Sequence, residues 1–204
     1  METAERVKEI KQSFRQLMDG AVAKSMRDKG AGYKLNWGVT LPRLQEMAAG
    51  IGKDYHLAIA LWKEDVRECK ILATMIMPPE EMLPEVCDIW MEQIQTQEIA
   101  EQAAFNLWQH LPYAAQKAYQ WIASDNGLYQ QSGFHILSRL FMRRQEPNER
   151  GINEFIDQAL AALGSTDIAV RKSALQAVNR FSELGIVYER IAKSSLRQIN
   201  LDFF

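Results

Sequence analysis

Four times in succession this chain repeats one unit: an apolar helical segment, a short polar turn, and a second helical segment with small residues in its first turns. His56–Trp62 leads through Glu64 and Asp65 into Val66–Met77. Pro84–Ile94 leads through Thr96 and Gln97 into Glu98–Gln109. Tyr113–Ala123 leads through Ser124–Gly127 into Leu128–Met142, and Ile152–Leu163 through Gly164–Asp167 into Ile168–Phe181. A single helix pair of this length cannot bury its apolar face, so such units must stack on one another. With two helices per unit and no alternating strand pattern, the expected fold is all-α: a HEAT-like helical-repeat solenoid with a concave groove. The last unit shows the local logic best. Asp167 caps a helix, Val170 packs inward, and Ala174 admits a neighbouring helix.

The flanking segments extend the same pattern. Val7, Ile10, Phe14, Leu17 and Met18 recur at helical spacing, interrupted at Gly20, and Gly30 and Gly32 terminate the run. Thr40 is a candidate N-cap with Pro42 just inside the helix, and Gly50 and Gly52 are expected to close the helix that begins at Leu41. Residues 1–204 are therefore expected to form one HEAT-like domain. It comprises N-terminal helices over 1–50, repeats over about 55–77, 78–112, 113–145 and 150–184, and a C-terminal helix over 186–200. Pro78, Pro79 and Pro147 mark repeat boundaries rather than domain boundaries, because the units on either side need each other.

Inner helices line the concave side of such a solenoid. The central inner helix is expected to turn Ile99, Ala103, Phe105, Leu107 and Trp108 inward. Superposing the inner helices places Lys70, Glu101, Gln131 and Lys172 at matching positions, a row of polar side chains across the groove. Solvated positions also recur wherever helices are amphipathic, so the row alone does not establish a site.

Composition narrows the function. Hydrophobic residues make up 47% and charged residues 25%, a globular balance. No apolar run approaches the roughly 20 residues that span a bilayer, and the charged N-terminus lacks a signal-peptide core. A cytoplasmic protein with no membrane partner is expected. Net charge runs +3 over residues 1–60, −7 over 61–112 and +2 over 113–204, which argues against a uniformly basic nucleic-acid groove. Cys69 and Cys87 form no CxxC pair and read as buried thiols. His56, His110 and His135 share no ligand spacing, so no metal site is expected. Glycine-rich phosphate loops and nucleophile elbows are absent, and no cofactor is expected. Trp62, Trp90, Trp108 and Trp121 fall on apolar faces, whereas Trp37 sits beside a glycine ahead of a helix.

Three segments carry a family resemblance. Asn36-Trp-Gly-Val-Thr-Leu-Pro-Arg-Leu44 resembles a Gly-Val-x-x-Pro segment of bacterial DNA alkylation-repair glycosylases of the AlkD type. Trp121-Ile-Ala-Ser-Asp-Asn126 and Val170-Arg-Lys-Ser-Ala174 resemble segments of the matching repeats, and the likeness extends from about Ala23 to Glu183. The resemblance implies a HEAT-like solenoid that binds duplex DNA in its concave face and releases cationic N-alkylated bases such as 3-methyladenine and 7-methylguanine. It implies groove equipment of an aspartate, two tryptophans and an arginine. Such a leaving group is already cationic. A carboxylate stabilises charge developing on the sugar, aromatic faces hold sugar and base, and arginine clamps phosphate.

This chain departs from that equipment. The aspartate position falls on Glu101, the tryptophan positions on Gln97 and Gln176, and the arginine position on Gln131. The charge survives on a longer arm, while the aromatic walls and the clamp do not. Tyr33, Trp37 or Tyr129 would substitute only if the fold brought them to the groove. Two readings follow. In the first, the protein binds duplex DNA with weakened, altered or lost glycosylase activity. Glu101 is then the candidate catalytic residue. Lys70, Arg139, Arg143, Arg171 and Lys172 are candidate phosphate contacts, and Gln97, Gln131 and Gln176 hydrogen-bonding contacts. In the second, it is a non-catalytic scaffold for a protein or a structured nucleic acid.

Overall fold

The computed structural model describes residues 2–29 and 32–197. Among them the chain forms twelve α-helices and one 3-10 turn, with no strand. By packing, the chain divides into two compact units, residues 1–112 and 113–204.

The first unit holds α1 (Thr3–Gln16), α2 (Gly20–Asp28), α3 (Leu41–Ile51), α4 (Tyr55–Trp62), α5 (Arg67–Ile76), α6 (Pro84–Glu92) and α7 (Gln97–Asn106). A 3-10 turn, Trp108–His110, closes it. The interruption falls just before Gly20 rather than at it: α1 ends at Gln16, and Gly20 is the first residue of α2, behind Asp19, whose carboxylate accepts the Ala21 and Val22 N–H groups. Gly30 lies outside the described residues. Thr40 occupies the N-cap of α3, but its side chain makes no capping bond there. Gly50 does not end α3. The helix runs through it to Ile51 and stops at Gly52, whose φ of 77° suits a residue without a Cβ.

The second unit holds α8 (Ala114–Ile122), α9 (Gly127–Met142), α10 (Glu149–Leu163), α11 (Ile168–Ser182) and α12 (Ile186–Arg197). Asp167 caps α11 as expected, accepting the Ala169 and Val170 N–H groups. The last residues assigned to a C-terminal helix, 198–200, lie outside the described residues.

Packing in each unit runs through helix pairs. In the first unit α5 packs on α3, α4 and α7, and eight of its ten residues are buried. Trp62 of α4 stacks on Trp90 of α6 with parallel rings 4.1 Å apart, and the Trp62 indole donates to Gln93 at 2.8 Å. In the second unit α9 packs between α8 and α11. Gly133 permits the first contact, since a Cβ there would lie 2.7 Å from the Ala118 carbonyl oxygen. Phe134, Phe141, Phe155 and Phe181 form a connected aromatic cluster with centroid separations of 5.0 to 6.5 Å. Each such ring contributes roughly 1.5–3 kcal/mol through burial. Trp62, Trp90, Trp108 and Trp121 are all buried, and so are Cys69 and Cys87. Burial pushes the Cys69 thiol up to about 12, so it is a packing group rather than a nucleophile.

Phe105 departs from expectation. It is 42% exposed, because it stands four residues after Glu101 and eight after Gln97, on the outward stripe of α7. Leu107 and Trp108 are buried as expected, but after α7 has ended.

Candidate nucleic-acid interface

In the first unit, segment 33–40 reaches α5 and α7 through a buried charged network. At Gly38 φ is 74°, and a Cβ would lie 2.2 Å from the Asp19 carbonyl oxygen, so only glycine fits. The Gly38 N–H donates to Asn36 Oδ1 at 2.7 Å, and the Asp19 N–H donates to the Trp37 carbonyl at 2.9 Å. Glu68, wholly buried, accepts the Trp37 N–H at 3.3 Å and the Val39 N–H at 3.2 Å.

Arg67 sits beside it with 1% of its side chain exposed. Nε and one terminal nitrogen donate to the two Glu98 oxygens at 2.8 and 2.5 Å, a bidentate pair. The other terminal nitrogen donates to the Val39 carbonyl at 3.0 Å and to Glu68 at 3.2 Å. Tyr33 donates its hydroxyl proton to Glu98 and accepts from Thr96, the N-cap residue of α7, at 3.0 Å.

The electrostatics lock these charges. Burial pushes the Glu98 carboxyl up, but hydrogen bonds from Arg67 and Tyr33 outweigh it, and its pKa falls below the ordinary value. Burial likewise opposes the Arg67 charge, and Glu98 more than restores it. Burial and the bond to Glu98 together push the Tyr33 hydroxyl up.

Beside this network, and lined in part by its Tyr33, Arg67 and Thr96, lies an open cleft of about 430 Å³ flanked by the starts of α5 and α7. Lys70 reaches it half-buried, donating to the Trp62 carbonyl at 2.6 Å with its ammonium 4.5 Å from a Trp62 ring centroid. Burial lowers its pKa. Lys70 is therefore a fixed cation at the cleft rather than a swinging surface arm.

The remaining candidates occupy varied settings. Gln97 and Glu101 are exposed one turn apart on α7, with Phe105 a turn further on. Gln131, expected to face the groove, is buried within α9 at 4% exposure. Arg139 is half-buried near the end of α9, and Arg143 is exposed at its C-cap. Arg171 is exposed and donates to the Ser165 carbonyl at 2.9 Å, while Lys172 and Gln176 are exposed one turn apart on α11. The structure thus brings Gln97 together with Glu101, and Lys172 together with Gln176, each pair on one helix face.

The three aromatic substitutes have other duties. Tyr33 is held by Glu98, Trp37 packs on Phe14 at 5.8 Å, and Tyr129 meets the Trp121 edge at 6.1 Å. Sequence reasoning missed the buried network of Tyr33, Arg67, Glu68 and Glu98. The available signal was a charged pair, Arg67-Glu68, at the start of a helix whose later residues, Lys70 apart, are mostly apolar. Among the described residues no three His, Cys, Asp or Glu side chains gather to hold a metal ion, and no helix is long and apolar enough to cross a membrane.

Successive packed helices, with no strand among the described residues, define a HEAT-like repeat protein. A model of the family described as DNA alkylation repair enzyme matches residues 10–182, and the chain belongs to that family. Its fold is similar to a solved structure described as "A new family of proteins related to the HEAT-like repeat DNA glycosylases with affinity for branched DNA structures". The TM-score is 0.84 at 17% sequence identity, covering 94% of this chain and 82% of that one. No curated protein matches the chain.

Proposed function

We propose that this protein binds DNA through the exposed faces of its inner helices, favours branched over linear duplex, and excises N-alkylated bases poorly or not at all. The observation that carries this reading is the outward stripe of α7. There Glu101 and Gln97 are exposed, and the family resemblance assigns them to the aspartate and one tryptophan position. A carboxylate beside an amide accepts and donates hydrogen bonds, but it offers no aromatic wall for a cationic base. Gln176, exposed on α11, falls by the same resemblance on the other tryptophan position. Arg143, Arg171 and Lys172 supply exposed positive charge for phosphates. Affinity for branched DNA in the structurally similar protein supports the preference for branched substrates.

The charge of −7 over residues 61–112 favours a second reading, a scaffold for a protein with a basic patch. Salt separates the two. Fluorescence anisotropy with a linear duplex, a fork and a four-way junction, from roughly 50 to 200 mM salt, reads counterion release directly. The expected result is weak binding, tightest for the branched substrates, with a slope shallower than a fully basic groove gives. Undetectable binding to every substrate at low salt would overturn the DNA reading and leave the scaffold.

A further inference from the structure

We infer that the cleft flanked by the starts of α5 and α7 is a pocket for one unpaired nucleotide of branched DNA. This rests on the DNA-binding reading above and goes further, since it assigns a site and the unit of DNA that occupies it.

Size is the first argument. At about 430 Å³ the cleft falls within the roughly 300–1,000 Å³ typical of small-molecule sites. The second is shape and polarity. Val66, Ile94 and Ile99 give it an apolar floor, and the Tyr33 ring forms part of its wall. That ring is held by the Glu98 and Thr96 hydrogen bonds, so the wall is set before any ligand arrives. A nucleobase has matching features: apolar faces and a polar edge.

Charge makes the choice between one nucleotide and a length of backbone. Lys63, the anchored Lys70, Asp65 and Glu92 line the cleft, and the Asp65 carboxylate lies 4.0 Å from the Lys34 ammonium. Arg67 also lines it, but its charge is already matched by Glu98 and Glu68. Successive phosphates running through the cleft would meet the carboxylates and be repelled. A single inserted nucleotide gives one phosphate to the lysines and turns its base edge inward, where a carboxylate can accept from an exocyclic amine. Paired bases inside a duplex cannot enter without unstacking. Unpaired bases at a branch point have largely met that cost already. The cleft therefore supplies a physical reason for a preference for branched DNA.

The test uses the whole protein and forks carrying 2-aminopurine at the unpaired branch-point position. Gln95→Trp fills the cleft from an exposed position outside the charged network, and Lys63→Glu reverses a lysine at the cleft. Wild type is expected to change the 2-aminopurine emission on binding. Both variants should lose that change and bind forks about tenfold more weakly, while linear duplex affinity and thermal midpoint stay at wild-type values. Fork binding with unaltered emission, equal in wild type and both variants, would overturn the pocket while leaving the DNA-binding reading intact. Failure to bind any DNA would overturn both. Free deoxyadenosine monophosphate competing as strongly as the fork would assign the cleft to a soluble nucleotide and overturn the DNA assignment.

Discussion

Arg67 holds a full positive charge with almost none of its side chain in water, and it remains charged because four acceptor atoms surround it. Replacing it by leucine would strand Glu68, which is wholly buried with only two backbone N–H donors to compensate it. Breaking a buried pair from one side costs roughly 3–5 kcal/mol. Arg67→Leu should therefore shift the urea midpoint down by that equivalent and loosen segment 33–40, detectable as faster amide exchange at Val39. A midpoint within about 1 kcal/mol of wild type would refute the network's structural role. His135 titrates in the opposite sense from a salt-bridged base. Burial first, and the Arg139 charge second, lower its pKa to about 4 from the ordinary 6.5. Between those values the unfolded chain binds a proton that the folded chain refuses, so stability falls as pH falls through this window. The expected loss is on the order of 1–3 kcal/mol. His135→Gln should flatten the stability profile between pH 6.5 and about 4. An unchanged profile in chemical denaturation across that range would refute the assignment.

At the scale of the helix, two glycines make opposite predictions. Gly133 lets α9 approach α8: a Cβ would lie 2.7 Å from the Ala118 carbonyl oxygen and 2.8 Å from the Ile122 nitrogen, and backbone atoms cannot move aside cheaply. Gly133→Ala should cost about 1–3 kcal/mol. Gly50 has nothing within 4 Å and lies inside α3, so Gly50→Ala should add about 0.5–1 kcal/mol by favouring the helix. Thermal unfolding of the two variants should move in opposite directions. The same glycine shows where sequence reading fails. Glycine marks helix ends often enough to suggest one at Gly50, but its neighbours sustain the helix for one more residue, and the positive φ falls on Gly52. Asp167 was legible because capping is local: the side chain and the amides it serves lie within three residues. The Arg67–Glu98 pair was not, because its partners lie thirty-one residues apart, and each charge taken alone reads as solvent-facing. Phe105 misled for a different reason. Its hydrophobicity suggested the core, while its four-residue spacing from Glu101 put it on the exposed stripe.

For the molecule as a whole, the question is whether membership of a repair-enzyme family brings the family's chemistry with it. The resemblance read from the sequence supplied the fold and the family, and it implies that Glu101, Gln97 and Gln176 stand where the family carries an aspartate and two tryptophans. A carboxylate that helps expel an already cationic base must sit close to the sugar, and a misplacement of about one ångström can cost 10²-fold. Glu101 carries its charge on an arm one methylene longer than aspartate would. Each lost aromatic contact removes roughly 1–2 kcal/mol where it is desolvated. These losses act on the same step, so together they should depress excision far more than any one of them. Release of 7-methylguanine and 3-methyladenine from alkylated duplex DNA should therefore not rise above the spontaneous rate, and Glu101→Gln should behave as wild type does. Excision by wild type that disappears in Glu101→Gln would show instead that the longer carboxylate reaches the sugar. It would also show that the aromatic walls are dispensable on this scaffold, because a base that leaves as a neutral molecule needs its positive charge balanced only on the sugar it leaves behind.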